Sequence, residues 1–442
     1  MFTPILHYFA AQWRWRSLQG ENLLTYQNRR AWRVVAHAQK FSPFYRQWWQ
    51  GYDHQAWQTL PPIDKALMMA NFSQLNTVGI EKESALQTAL QAERSRDFTP
   101  TLQSATGKRF TVGLSSGTSG NRGLFLVGEQ EQAGWSGVIL ARALPNWRDL
   151  LRRPPLRVAF FLRANSNLYQ STDKRGIQFR YFDLMTPLAQ AERALTDFQP
   201  QVVIAPPSLL ALLAKAQQVG TLRIQPERLI SVAEVLEPQD QAHLQTAFQC
   251  VVHQIYQCTE GLLAVSCPQG SLHWQADLVA VQWQALGQGR FSPIITDLWR
   301  TTQPIIRYRL NDVIQLSTSV CSCGNDWQVL QAIEGRSDDI CYFADESGEW
   351  RVVFPDVIRR MVLLADAPVL EYQAVQSERG QLRLAVQVAE GADFGVVERT
   401  LQESVLRELA RYRCVVARLE VVEGIAPVPA GVKRRRVVAK SI

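Results

Sequence analysis

Between residues 156 and 256 short apolar runs alternate with amphipathic stretches of about ten residues, and this alternation restricts the fold more than any other feature of the chain. Residues 157–162, 178–182, 201–205, 228–232 and 250–256 read as strands. Residues 188–198, 209–218 and 239–248 read as helices, with Pro187, Pro206-Pro207 and Pro238 near their starts, where proline is tolerated. Helix-length crossovers between apolar strands predict a mainly parallel sheet covered on its faces. Ligands of such sheets sit beyond the carboxyl ends of the strands. Tyr256-Gln257-Cys258-Thr259-Glu260 follows the fifth strand at that place.

The flanks read differently. Residues 1–95 are expected to be helical, broken near Pro43 and at Pro61-Pro62, with the early tryptophans (Trp13, Trp15, Trp32, Trp48, Trp49, Trp57) packing rather than binding. Residues 278–283, 294–298 and 305–309 read as strands of a β subdomain, and 334–339 as a charged, glycine-bearing junction. Beyond it strands (339–343, 369–375, 381–388, 415–422) and helices (357–364, 396–412) alternate afresh. The expected class is α/β. A large N-terminal domain, 1–336, has mainly parallel sheets plus a β subdomain at about 274–334. A small mobile α+β domain, 337–442, follows.

Composition excludes little. The 442 residues are 46% hydrophobic and 20% charged, ordinary for a globular protein. The net charge of +7 permits an anionic ligand without requiring nucleic acid, and five of the cations sit in the tail, Lys433-Arg434-Arg435-Arg436 and Lys440. No apolar run has the length of a membrane span, and the N-terminus lacks a signal-peptide pattern. Seven cysteines in so long a chain fit a reducing cytoplasm. Nothing sets the oligomeric state; a dimer is allowed.

Chemistry concentrates in short signals. Ser115-Ser116-Gly117-Thr118-Ser119-Gly120 lies between two apolar runs. Glycines let backbone N–H groups approach an anion, and the hydroxyls add donors, so the stretch suits a phosphate. A flexible polar hairpin is the alternative. In Tyr256 to Glu260 an aromatic ring can stack on a base, Thr259 can meet a phosphate and Glu260 can hold Mg²⁺. Asp312 follows a strand and could accept ribose hydroxyls. Gly335-Arg336-Ser337-Asp338-Asp339 marks the junction, and Gly431-Val432-Lys433 lies near the end. Each alone could be a cap or a surface charge. Cys267, His273, Cys321 and Cys323 offer four ligands for a structural Zn²⁺ at a non-standard spacing, the alternative being free thiols in a loop.

In this order the signals resemble the adenylate-forming superfamily: acyl- and aryl-CoA ligases, peptide-synthetase adenylation domains and luciferases. The likeness spans roughly residue 30 to the end. Ser42-Pro43-Phe44-Tyr45-Arg46 and the Cys-x-Cys-Gly of Cys321 to Gly324 are similar to the phenylacetate-CoA ligase branch, which also shows Cys-x5-His and Cys-x-Cys pairs. There are departures: Gln257 stands for a glycine, Leu310-Asn311 for Thr-Gly, Lys433 is one residue further from its glycine, and Asn121-Arg122 replaces the lysine after the phosphate loop, leaving Arg122 to supply that charge.

The resemblance implies ATP- and Mg²⁺-dependent activation of an organic, in the first instance aromatic, carboxylic acid to an acyl-adenylate. Transfer to the thiol of CoA or an acyl carrier protein would follow. It further implies that Glu260 binds Mg²⁺, Thr259 the phosphate, Tyr256, Ala233 and Glu234 the adenine, and Asp312 and Arg336 the ribose. Lys433 becomes the catalytic lysine and Asp338 the hinge. Residues near Phe182, Pro206 and Val232 are expected to wall the acid pocket. Two other readings stay open: an adenylyltransferase moving AMP onto a hydroxyl of a cofactor, and a non-catalytic nucleotide- or nucleic-acid-binding protein.

Overall fold

The computed structural model describes residues 3–95, 97, 99–115, 123–144, 146–162, 176–184, 186–336, 339–426 and 435–440. The chain forms two compact units. The first comprises Met1–Gln284, Pro293–Leu310 and Leu316–Gln331; the second comprises Ala285–Ser292, Asn311–Gln315 and Ala332–Ile442.

The first unit opens with helices Thr3–Ser17, Gly20–Phe41, Pro43–Trp48, Lys65–Ala70, Phe72–Leu75 and Lys82–Ser95. Helix Gly20–Phe41 buries one stripe, Tyr26, Ala31, Val34, Val35 and Ala38. It stops at Ser42, whose Oγ accepts the Tyr45 N–H and caps the helix beginning at Pro43. The tryptophans divide: Trp49 and Trp57 are buried, whereas Trp13, Trp32 and Trp48 are exposed, so the packing expectation holds for only part of the set. Arg14 and Arg142 both reach the fully buried Asp277, at 2.7 and 3.0 Å, pinning the first helix to helix Glu129–Ala143 and to the turn at 277.

Strands β1 (Leu102–Gln103), β2 (Arg109–Leu114) and β3 (Leu124–Gly128) form a small antiparallel sheet. The predicted alternation follows. Strands β4 (Leu156–Leu162), β5 (Ile177–Asp183), β6 (Val202–Ala205), β7 (Arg228–Val232) and β8 (Val252–Cys258) are parallel, in the order β8–β7–β6–β4–β5. Helices Leu188–Phe198, Pro207–Val219 and Pro238–Phe248 connect them. Both faces are covered. Ala159, Phe161, Val203 and Leu229 enter one apolar cluster, while Val158, Val202 and Ile230 enter another. That double burial is why these strands read as continuous apolar runs rather than alternating ones.

Antiparallel strands extend the sheet: β9 (Gly261–Ser266) and β10 (Leu272–Trp274), then β11 (Val279–Gly287), β12 (Arg290–Asp297), β13 (Tyr308–Arg309), β14 (Asp312–Leu316) and β15 (Val329–Arg336). The strand expected at 305–309 is only the two-residue β13, paired to β12 through Ile295 and Tyr308. Arg307 just before it has φ +47°, which breaks an extended run.

The second unit contains β16 (Cys341–Ala344), β17 (Trp350–Val353), helix Pro355–Leu363, β18 (Val369–Gln376), β19 (Gln381–Val388), helix Phe394–Arg411, β20 (Arg418–Glu423) and β21 (Val437–Ala439). Its sheet order is β20–β19–β18–β21. Ile358, Met361, Leu384, Leu401 and Val405 share its core. Among the described residues no helix is long and apolar enough to cross a membrane.

Candidate functional site

The phosphate-loop sequence joins β2 and β3, as its flanking apolar runs require. Only its neck, Ser115 and Gly123, is described; Ser116, Gly117, Thr118, Ser119, Gly120 and Arg122 lie outside the described residues. The neck is closed by two hydrogen bonds. Ser115 N–H donates to the Gly123 carbonyl at 2.8 Å, and Gly123 N–H donates to Ser115 Oγ at 2.7 Å. Lys65 Nζ donates to the same Oγ at 3.3 Å. Sequence reasoning missed Lys65, because no local pattern relates positions fifty residues apart.

Two other separated signals meet. Thr259 and Glu260 form the turn between β8 and β9, below an irregularity in the pairing between Tyr256 and Gln257. Glu260 is 8% exposed. Thr259 Oγ1 donates to its Oε2 at 2.8 Å, and the Tyr308 hydroxyl donates to its Oε1 at 2.9 Å. Burial, then the Glu260 carboxylate, drive the Tyr308 phenol far above its ordinary pKa, so it stays a proton donor. Arg300 holds the Thr259 carbonyl at 2.7 Å. The strand carrying Tyr308 is bonded on its other side to Ile63: Ile63 N–H donates to the Arg307 carbonyl at 3.0 Å and Arg309 N–H to the Ile63 carbonyl at 2.8 Å. Lys65 is thus two residues along the chain from Ile63, which is bonded to the strand that orients Glu260.

The remaining expected positions fall as follows. Tyr256 lies half-buried in β8 opposite Ala264. Ala233, directly after β7, has φ +70°, a conformation that costs a residue with a Cβ about 1 kcal/mol or more and that clusters at functional sites. Glu234 Oε2 accepts the Ser208 N–H at 3.2 Å, in the first turn of helix Pro207–Val219. Phe182, expected near the acid pocket, lies among the described residues inside an apolar cluster, stacked on Phe161 at 4.7 Å.

In the second unit Asp312 begins β14 and Arg336 ends β15, both half-buried. Gly335 beside it has φ +117°, which only glycine adopts without strain. Asp338 and Lys433 lie outside the described residues. Their neighbours are held firmly. Arg435 pairs with Asp339, Arg436 with Glu371 at 2.9 Å, and Val437–Ala439 pairs in parallel with β18. Two of the five tail cations are therefore neutralised within the fold rather than spread as a solvated patch.

Cys267, His273, Cys321 and Cys323 converge in the first unit, their ligand atoms all within 4.8 Å of one another. His273 Nδ1 meets the Trp327 carbonyl at 2.9 Å, which makes Nδ1 the donor and leaves the lone pair on Nε2, 3.4 Å from Cys323 Sγ. Burial pushes the Cys267 thiol up to about 11. Although burial opposes it, hydrogen bonds from Ser271 and the Cys323 N–H hold Cys321 down at about 6. Three cysteine sulfurs and an imidazole nitrogen gathered this closely could hold a metal ion.

No protein-family model and no curated protein matches the chain in sequence. Solved structures do match in fold. A 2-hydroxyisobutyryl-CoA ligase in the post-adenylation state with 2-HIB-AMP superposes with a TM-score of 0.67 at 19% identity, over 94% of this chain and 89% of that one. The same enzyme in an open conformation with 2-HIB-AMP and CoA gives 0.57 at 17% identity, over 93% and 90%. An anthranilate CoA ligase in complex with anthranoyl-AMP gives 0.50 at 15%, over 74% and 67%. The chain has the fold of the adenylate-forming CoA ligases.

Proposed function

We propose that this chain activates an organic carboxylic acid, in the first instance an aromatic one, with ATP, and passes the acyl group to a thiol of CoA or an acyl carrier protein. A carboxylate oxygen attacks the α-phosphorus, the bond to the β-phosphate breaks and pyrophosphate leaves. The thiol sulfur then attacks the acyl carbon and AMP leaves. The observation that carries this reading is the bond between Tyr308 and Glu260: two signals distant in sequence converge on one carboxylate, within a fold shared with CoA ligases.

The residues present fit ATP and Mg²⁺. Glu260 is buried and met by two hydroxyl donors, and among the described residues it makes no ion pair, a setting that suits a divalent cation. Glu260 would hold Mg²⁺, which supplies charge neutralisation for the phosphates. Thr259 and the loop from Ser115 to Gly120, with Arg122, would grip phosphate oxygens. Tyr256, Ala233 and Glu234 would face adenine, and Asp312 and Arg336 the ribose. Lys433 would stabilise the charge developing at the α-phosphate. Domain 337–442 would turn about Asp338 between the two half-reactions. Cys267, His273, Cys321 and Cys323 would hold a structural Zn²⁺.

The test is a pyrophosphate-release assay with aromatic and fatty acids, in the presence of CoA, with products identified by mass. The expected result is acid-dependent pyrophosphate release with an acyl-AMP or acyl-CoA product. Pyrophosphate-independent chemistry, or AMP found on a hydroxyl, would contradict it.

A further inference from the structure

We propose that Lys65 supplies a cation for the β- and γ-phosphates of ATP, and then for the departing pyrophosphate, at the neck of the β2–β3 hairpin. This rests on the ATP reading above and extends it to a residue outside every sequence signal. When the α-phosphate is attacked, negative charge accumulates on the leaving group, and positioned cations offset it. The hairpin segment itself contributes Arg122 from its sequence; Lys65 arrives from a different element.

Three observations place it. Its Nζ is 3.3 Å from Ser115 Oγ, at the first residue of the phosphate-loop sequence. Its stem crosses Gly123: a Cβ added there would lie 3.1 Å from Lys65 Cε and 3.5 Å from Ser115 Oγ. Glycine at 123 therefore makes room for this lysine. The backbone beneath Lys65 is fixed at both ends. Asp64 Oδ1 accepts the Leu67 N–H at 2.8 Å, Ile63 is bonded to the strand carrying Tyr308, and Leu124 N–H at the start of β3 points at Met69 Sδ, 3.3 Å away. The amine thus sits at the hairpin neck on a segment that Ile63 ties to the strand orienting Glu260. A lysine ammonium on a flexible stem can follow phosphate from ATP to pyrophosphate.

The experiment measures binding of MgATP, magnesium pyrophosphate and AMP to the full-length protein by titration calorimetry, for the natural chain, Lys65→Met and Lys65→Arg. Lys65→Met is expected to weaken MgATP and pyrophosphate by about tenfold or more, leave AMP within about twofold, and be largely rescued by Lys65→Arg. Unchanged MgATP affinity, or equal loss for ATP and AMP, overturns the inference while leaving the functional reading intact. A natural chain that binds none of the three overturns the functional reading and this inference together. Should Lys65→Met fail to fold, amine-reactive footprinting of the natural chain decides. Pyrophosphate with Mg²⁺ must protect Lys65 and AMP must not; equal labelling overturns the proposal.

Discussion

Glu260 is the residue on which the hydroxyls of half-buried Thr259 and buried Tyr308 converge, and each can be removed separately. Tyr308→Phe deletes one hydrogen bond to a carboxylate. The expected cost is ~1.5–3 kcal/mol of orientation, an increase of about tenfold or more in the Mg²⁺ concentration needed for half-maximal pyrophosphate release. A Mg²⁺ titration that superimposes on that of the natural chain would remove Tyr308 from the site. The Tyr256 to Glu260 signal was legible because a strand end followed by Thr-Glu is a local pattern. Its partner was not, because only folding brings residue 308 to residue 260. Lys65 was invisible for the same reason. A second residue-scale prediction concerns His253 in β8. Burial, with the Arg228 guanidinium adding, lowers its pKa to about 4 from 6.5. The unfolded chain therefore takes up the proton first. Stability is complete above pH 6.5 and declines by ~2–3 kcal/mol as pH falls toward 4. His253→Gln should flatten that slope in denaturant melts at pH 4.5 and 7; an unchanged slope would count against the assignment.

At the scale of elements, the parallel strands were legible from apolar runs bounded by prolines. Continuous hydrophobicity and double burial are the same fact seen from two sides. The run 305–309 misled because its apolar residues Ile305 and Ile306 are buried without being extended through Arg307, whose N–H is taken by Thr296 Oγ1 at 3.0 Å. The network at Asp277 had no sequence signal, since Arg14, Arg142 and Asp277 lie on three distant segments. Asp277→Ala leaves two buried guanidiniums without their carboxylate and should cost ~3–5 kcal/mol, read as a shift in urea midpoint. A loss under ~1 kcal/mol would mean that solvent reaches the cluster. The cysteine–histidine cluster joins the β9–β10 turn to the loop before β15. Zinc analysis of protein purified in metal-replete buffer should give about one ion per chain, and Cys267→Ser together with Cys323→Ser should abolish it and lower the Tm. Substoichiometric metal in the natural chain would contradict the site.

At the scale of the whole molecule, the order of the signals along the chain carries more than any one of them. Five short signals, each ordinary alone, resemble in their order the motifs of one superfamily, and the fold agrees with solved CoA ligases at under 20% identity. The acid was not legible: Phe182, placed at a strand end by pattern, turned into the core beside Phe161. A strand end fixes where a ligand sits but not which side chains face it. The basic tail also changed meaning, because Arg435 and Arg436 are paired and Val437–Ala439 completes a sheet. The most direct test of the account is ATP–pyrophosphate exchange with a panel of carboxylic acids, run on the natural chain and on Lys433→Ala. The account predicts exchange that requires the acid and falls by about a thousandfold or more in Lys433→Ala. Exchange at the natural rate in Lys433→Ala, or none with any acid in the natural chain, would contradict it.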